Sequence, residues 1–256
     1  MSQKIFNLIL LDESGSMSII EKAAVGGINE TLQSIRQAQQ QHPDQEHFVT
    51  LATFHGGSYT VKYDRNPAPE TKDLERYNPG GSTPLFDAMG RSITELRSHV
   101  SDDDAVLVTI ITDGEENSSV EYSGQAIKQL VSEMRNQGWV FSYIGTNQDV
   151  DAVADQLGIH SRMNYDYSDV GMQDAIRKER KQRMVMYSRI ANEGTGFFKD
   201  DPDYDYLDNS RKPSRPRRDS KPTAPVPDAT QSTDTTPDDA KQAAHRSIWQ
   251  RIFGLG

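Results

Sequence analysis

The stretch Ile5-Phe6-Asn7-Leu8-Ile9-Leu10-Leu11-Asp12-Glu13-Ser14-Gly15-Ser16 decides how this chain is read. The apolar run Ile5 to Leu11 has the length and composition of a buried strand. It ends in one carboxylate and two hydroxyls at alternate positions, Asp12, Ser14 and Ser16. Hard oxygen donors on a sharp loop at the carboxyl end of a strand suit a small divalent cation such as Mg²⁺. The spacing D-x-S-x-S is common by itself, and two later segments give it weight. Gly80-Gly81-Ser82-Thr83-Pro84 places another hydroxyl, Thr83, in a glycine-rich loop. Val106 to Thr112, a strongly β-branched run, ends in Asp113-Gly114-Glu115.

Outward from these segments, strand and helix patterns alternate. Ser18-Ile19-Ile20-Glu21 has the form of a capping box and predicts a helix to about Gln40. Phe48 to Phe54 reads as a second buried strand, with Tyr59 to Tyr63 as a short partner after Gly56-Gly57. The spacer 64–80 holds three prolines and reads mostly as loop. Pro84 predicts a first helical position ahead of Leu85, Ala88, Met89 and Leu96. Ile127, Leu130, Val131 and Met134 form a helical stripe that Gly138 ends. Trp139 to Ile144 predicts a strand, a short helix ends near Gly158, and a weak strand lies around Arg162 to Tyr165. A last helix covers about 169–191, where the basic run Arg177 to Arg183 reads as an exposed face. Continuous apolar strands alternating with helices imply an α/β fold, a doubly wound and mostly parallel sheet with helices on both faces. In such sheets ligands bind beyond the carboxyl ends of strands where the strand order reverses. If Ile5–Leu11 and Val106–Thr112 are neighbours there, Asp12 and Asp113 emerge side by side beneath the Thr83 loop. The helix after Ser16 is expected to aim its N-terminus at the same place, which favours an anion arriving on the metal.

Over about residues 1–192 the chain resembles the von Willebrand factor type A domain with its metal-ion-dependent adhesion site. The first motif of that family matches Asp12, Ser14 and Ser16, the second matches Thr83 and the third matches Asp113. The resemblance implies that these five residues hold Mg²⁺ or Mn²⁺. Ser14, Ser16 and Thr83 ligate directly, while Asp12 and Asp113 act mostly through waters or hydrogen bonds. It also implies a metal-dependent protein-binding adaptor whose partner brings an Asp or Glu to the open position of the ion. Stand-alone bacterial proteins of this kind often work with AAA-type ATPases, kinases or stress-response assemblies. Glu13, Glu115 and Glu116 are expected to be solvated rim. Tyr77, Asn78 and His55 read as ordinary loop residues.

Composition bounds the remaining function classes. A net charge of −10 argues against general affinity for nucleic acid. Without cysteine there is neither disulfide nor thiolate metal site. The six histidines show no H-E-x-x-H spacing, no P-loop or G-x-G-x-x-G is present, and no G-x-S-x-G elbow surrounds Ser14 or Ser16. An enzyme is therefore not expected; a Mg²⁺-dependent phosphatase or esterase using the same site is the alternative. The absence of a leader or spanning segment makes cytoplasm the expected location. Seven of the twelve prolines fall between Pro202 and Pro237, and large aliphatics are scarce there, so 193–240 reads as a disordered tail. Acidic (200–208) and basic (211–218) blocks in it read as solvated. In the final segment, 241–256, Ile248, Trp249, Ile252 and Phe253 at helical spacing suggest that 246–255 docks to a protein or weakly to a membrane.

Overall fold

The computed structural model describes residues 2–146, 149–201 and 203–207. The chain divides into two units, Met1–Pro216 and Arg217–Gly256, and the second lies wholly outside the described residues. The tail readings from 208 onward, including the segment 241–256, lie outside them as well.

Six strands form one sheet: β1 (Gln3–Asp12), β2 (Gln45–His55), β3 (Ser58–Pro67), β4 (Ala105–Ile111), β5 (Val140–Gly145) and β6 (Ser161–Asn164). Their order is β3-β2-β1-β4-β5-β6. All neighbours run parallel except β3, which is antiparallel to β2. The apolar run of β1, interrupted only by Asn7, is explained by burial on both sides. Ile5, Ile9 and Leu11 face one layer, and Phe6, Leu8 and Leu10 face the other. Helices α1 (Glu21–Gln41) and α5 (Asp169–Glu193) cover the first. Helices α2 (Leu85–Arg97), α3 (Gly124–Asn136) and α4 (Val150–Leu157) cover the second. Because β2 and β4 flank β1, the strand order reverses at the carboxyl ends of β1 and β4, and Leu11 pairs with Ile111. That register brings Asp12 and Asp113 to one edge of the sheet. Helices α1 and α5 pack closely: a Cβ on Gly27 would stand 2.2 Å from Ile176 Cδ1. Among the described residues no helix is long and apolar enough to cross a membrane.

Several elements differ from the sequence reading. Ser18 caps nothing, because a 3-10 turn (Gly15–Ile20) precedes α1, whose N-cap Ile20 offers no side-chain oxygen. A six-residue 3-10 turn, rather than the α-helix itself, therefore faces the site, so the helix-dipole contribution expected there does not apply. Strand β3 runs on to Pro67 through residues read as loop, with a bulge opposite Val49–Leu51 and Arg65 at φ 53°. Pro84 is the N-cap of α2 rather than its first turn.

Two corrections come from long-range packing. The basic run of α5 is not uniformly exposed: Arg183 is fully buried, ion-paired with Glu179 at 2.6 Å, and bonded to Asn7 of β1 and Thr109 of β4. The chain also stays folded beyond 192. After α5 comes α6 (Gly196–Asp200), and Tyr206 is buried with its hydroxyl donating to Glu179 (2.8 Å) and lying 3.0 Å from the Ser142 hydroxyl. Arg189 stacks over the Phe197 ring at 3.7 Å, and Asp203 pairs with Arg135 at 2.5 Å. The aromatic residues of 197–206 supply the burial that the proline-rich composition of the wider tail conceals.

Candidate functional site

At the carboxyl end of β1 the chain must leave the sheet sharply, and its first polar groups bond each other. Asp12 Oδ1 accepts the Ser14 backbone N–H at 2.7 Å, and Asp12 Oδ2 accepts the Thr112 hydroxyl at 2.6 Å. The Ser14 and Ser16 hydroxyls lie 3.2 Å apart. Ser16 in turn donates to Asp113 Oδ1 at 2.7 Å, joining the β1 loop to the β4 loop.

The third loop arrives through backbone bonds. Gly15 N–H donates to Gly81 O (3.1 Å), Gly80 N–H to Glu13 O (2.9 Å) and Gly56 N–H to Ser82 O (2.7 Å). Gly81 has φ 71°, a region that glycine enters without penalty. Gly56 is needed for close approach, since a Cβ there would meet the Ser82 nitrogen at 2.8 Å. Thr83 is then fixed by Asn117, whose side chain accepts the Thr83 N–H (2.8 Å) and whose own N–H donates to Thr83 O (3.1 Å). A Cβ on Gly114 would stand 3.4 Å from Thr83 Oγ1 and 3.7 Å from Ser16 Oγ. All five residues singled out in the sequence, Asp12, Ser14, Ser16, Thr83 and Asp113, thus belong to three loops that meet at one point.

The electrostatics of this cluster are unbalanced. Asp12, Ser14, Thr83 and Asp113 are all buried, and Asp113 Oδ2 has no hydrogen-bond partner. Burial pushes the Asp12 carboxyl up to about 6, against the opposing bonds from Thr112 and Ser14. Burial likewise raises Asp113, with the Ser16 hydroxyl and the nearby Tyr167 hydroxyl, which itself donates to the Ser16 carbonyl, offsetting part of the rise. Among the described residues no cationic side chain is one of the main causes of either shift. Among the described residues no group of three His, Asp or Glu side chains has the arrangement of a metal site. The donors here are instead two carboxylates and three neutral hydroxyls, the oxygen chemistry that Mg²⁺ and Mn²⁺ take.

The sequence reading missed the residues that support this cluster. Thr112, which the sequence reading counted within the β-branched run before Asp113, orients Asp12. Tyr77 is buried and donates to the Asp12 carbonyl at 2.5 Å. Tyr167 donates to the Ser16 carbonyl at 2.5 Å, and its hydroxyl is pushed up to about 12 by burial and by Asp113. No local signal marks either tyrosine. Two of the expected rim acids are structural. Glu13 is only 5% exposed and accepts the Asn78 N–H at 2.5 Å. Glu116 accepts the N–H groups of Ser118, Ser119 and Phe86. Asp87 of α2 binds the same loop, accepting from Val120, Glu121 and Tyr122 at 2.8–2.9 Å. Glu115 is exposed, as expected.

No family model matches the sequence, and no curated protein matches it. Solved structures do resemble the fold. A von Willebrand factor type A protein from Catenulispora acidiphila is 14% identical, covering 72% of this chain and 43% of that one, with a TM-score of 0.53. The PilB minor pilin from Streptococcus sanguinis is 13% identical over 73% of this chain and 63% of that one, TM-score 0.53. This chain therefore spans less than two thirds of the length of either protein. The vWF domain of the type V pili tip protein Mfa5 from Porphyromonas gingivalis is 8% identical over 73% and 97%, TM-score 0.53. With its reversed strand order and matching neighbours, this chain has a von Willebrand factor type A-like fold.

Proposed function

We propose that Asp12, Ser14, Ser16, Thr83 and Asp113 hold one divalent cation, Mg²⁺ or Mn²⁺, and that the chain is a metal-dependent protein-binding module. The observation that carries this reading is the buried, unpartnered Asp113 Oδ2 beside the Ser16 hydroxyl, in a cluster with two desolvated carboxylates and, among the described residues, no cation among the main causes of their shifts. A buried charge without a partner is costly, and a bound cation removes that cost. Ser14, Ser16 and Thr83 offer neutral oxygens, so they leave most of the positive charge of an ion uncancelled. Asp12 is already committed to Ser14 and Thr112 and acts by orienting the loop that carries the two serines. The bound ion supplies an electropositive position open to the carboxylate of a partner's Asp or Glu. An adaptor role toward an ATPase or kinase assembly rests on the family resemblance alone, and the cytoplasmic location rests on the sequence reading alone. The hydrolase alternative has no specific observation behind it: the Ser14 and Ser16 hydroxyls bond each other and Asp113, with no histidine among their partners.

Isothermal titration of Mg²⁺ and Mn²⁺ into the wild type, Asp12→Ala and Asp113→Ala tests the proposal. The wild type is expected to bind one ion, and each variant to lose about 10–100-fold or more in affinity. Equal binding by all three proteins defeats it.

A further inference from the structure

Edge strand β3 departs from regular pairing twice. Ala52 pairs with Val61 and Leu51 with Tyr63, so the register skips Lys62. The next pair is Val49 with Asn66, which leaves Asp64 and Arg65 opposite Thr50 alone. Arg65 also has φ 53°, and among the described residues it alone carries a side chain in that region. Its N–H reaches Thr50 Oγ1 at 3.1 Å, and its guanidinium pairs with Asp64 (2.8 Å) and with Glu95 of α2 (3.5 Å). One bulge is enough to blunt a free sheet edge. Two bulges and a strained residue together mark a place where side chains are being aimed.

Thr50, Lys62, Asp64 and Arg65 all line one cavity of about 650 Å³ between β3 and α2. That is the size of a small-molecule site. No residue of the metal cluster lines it. Its aromatic walls are Tyr59 and Tyr122. The Tyr59 and Ser92 hydroxyls share a hydrogen bond of 2.6 Å, and the Arg91 guanidinium stands 5.9 Å from the Tyr59 ring centre. The Tyr122 ring lies against α2 where that helix has no side chain, since a Cβ on Gly90 would stand 2.4 Å from it. Val61, 45% exposed, adds aliphatic surface. The charges are matched except for one. Arg65 is paired as above and Arg91 forks onto Glu121, whereas half-buried Lys62 has no hydrogen bond or ion pair among the described residues.

We propose that this cavity binds a small molecule with a flat aromatic body and one carboxylate. The ring is enclosed by Tyr59 and Tyr122, and the carboxylate pairs with Lys62, the cation left without a partner. A second negative group would meet Asp64 and Glu95, so a polyanion such as a nucleotide is disfavoured. The site is independent of the metal reading.

Anilinonaphthalene sulfonate, a fluorescent aromatic monoanion, is the probe. It is titrated into the full chain and displaced with naphthoate, with the neutral naphthamide, with decanoate and with ATP. The same titrations use Lys62→Gln, Val61→Asp and, as a control on an exposed lysine of β1, Lys4→Gln, each matched to the wild type by far-ultraviolet circular dichroism. Naphthoate is expected to displace the dye at least about tenfold more effectively than the other three compounds. Lys62→Gln is expected to lose about tenfold for naphthoate and nothing for naphthamide, because only the carboxylate meets the ammonium. Val61→Asp should weaken the dye and naphthoate by about tenfold or more, and Lys4→Gln should match the wild type. Failure of the wild type to bind the dye overturns the proposal and leaves the bulges as edge protection only. Equal binding by the wild type, Lys62→Gln and Val61→Asp overturns it too, as does decanoate or ATP displacing the dye better than naphthoate.

Discussion

Replacing Glu179 by Gln puts a number on the buried polar layer beneath α5. In the native protein the Arg183 guanidinium donates to Glu179 Oε1 through Nε (3.0 Å) and Nη2 (2.6 Å). Its other protons go to neutral oxygens, Asn7 Oδ1 at 3.0 Å and Thr109 Oγ1 at 2.6 Å. Arg183 is 0% exposed and Glu179 1%. Glutamine preserves the shape and one acceptor oxygen but leaves the cation with no countercharge in a layer that water does not reach. Removing one partner of such a pair costs about 3–5 kcal/mol. For a domain of this size urea sensitivity is about 2–3 kcal/mol per molar, so the midpoint should fall by about 1–2 M. Urea titration followed by far-ultraviolet circular dichroism, and by the fluorescence of the buried Trp139, measures it. Arg177→Gln is the control, because its pair with Asp174 is exposed and such pairs contribute about 0–1 kcal/mol. The double variant Glu179→Leu/Arg183→Met should regain most of the loss, since it removes both charges together. If Glu179→Gln and Arg177→Gln unfold at the same urea concentration, the reading of this layer is refuted.

Three further outcomes are expected. His47 is buried with its ring edge on Tyr187, and burial, with His42 and Arg183 nearby, depresses its pKa to about 3. The unfolded chain therefore takes up a proton below about pH 6.5 that the folded chain refuses until about pH 3. Stability should fall through that window by at most about 1.4 kcal/mol per pH unit, and His47→Gln should lack this component; parallel pH profiles of the two proteins would contradict it. The same substitution should have opposite signs at two helical glycines. Gly171→Ala drives a Cβ to 2.2 Å from the Asp166 carbonyl oxygen and should cost about 1–3 kcal/mol, whereas Gly26→Ala meets nothing and should gain about 0.5–1 kcal/mol, both read by thermal denaturation. Asp87→Ala strips the acceptor from three backbone amides of the loop that carries Asn117. It should cost about 2–3 kcal/mol and also weaken Mg²⁺ binding through Thr83; calorimetric affinity equal to the wild type would show that the loop does not position Thr83.

Local sequence was sufficient for whatever depends on near neighbours. The apolar runs of β1 and β4 announce strands buried on both faces, because no other placement hides consecutive large side chains of a short segment. Each run stops at a polar residue, so the loops carrying Asp12 and Asp113 could be located before their meeting point was known. Thr83 was legible from its glycine-rich surroundings. Other features depend on what arrives from far along the chain. Whether an arginine of α5 faces water or sits in the interior turns on Asn7, Thr109 and Glu179 being there to receive it. Glu13 became a strut because the Asn78 amide of a remote loop came within reach, and Glu116 because its own loop folds back on it and brings the Phe86 amide of α2 to the same carboxylate. The segment 196–207 looked too poor in aliphatics to fold, yet it buries aromatic rings against α5 and the sheet, and Tyr206 completes the Glu179–Arg183 layer. Burial of a charge or an amide is decided by its partner, and only the tertiary structure supplies that partner.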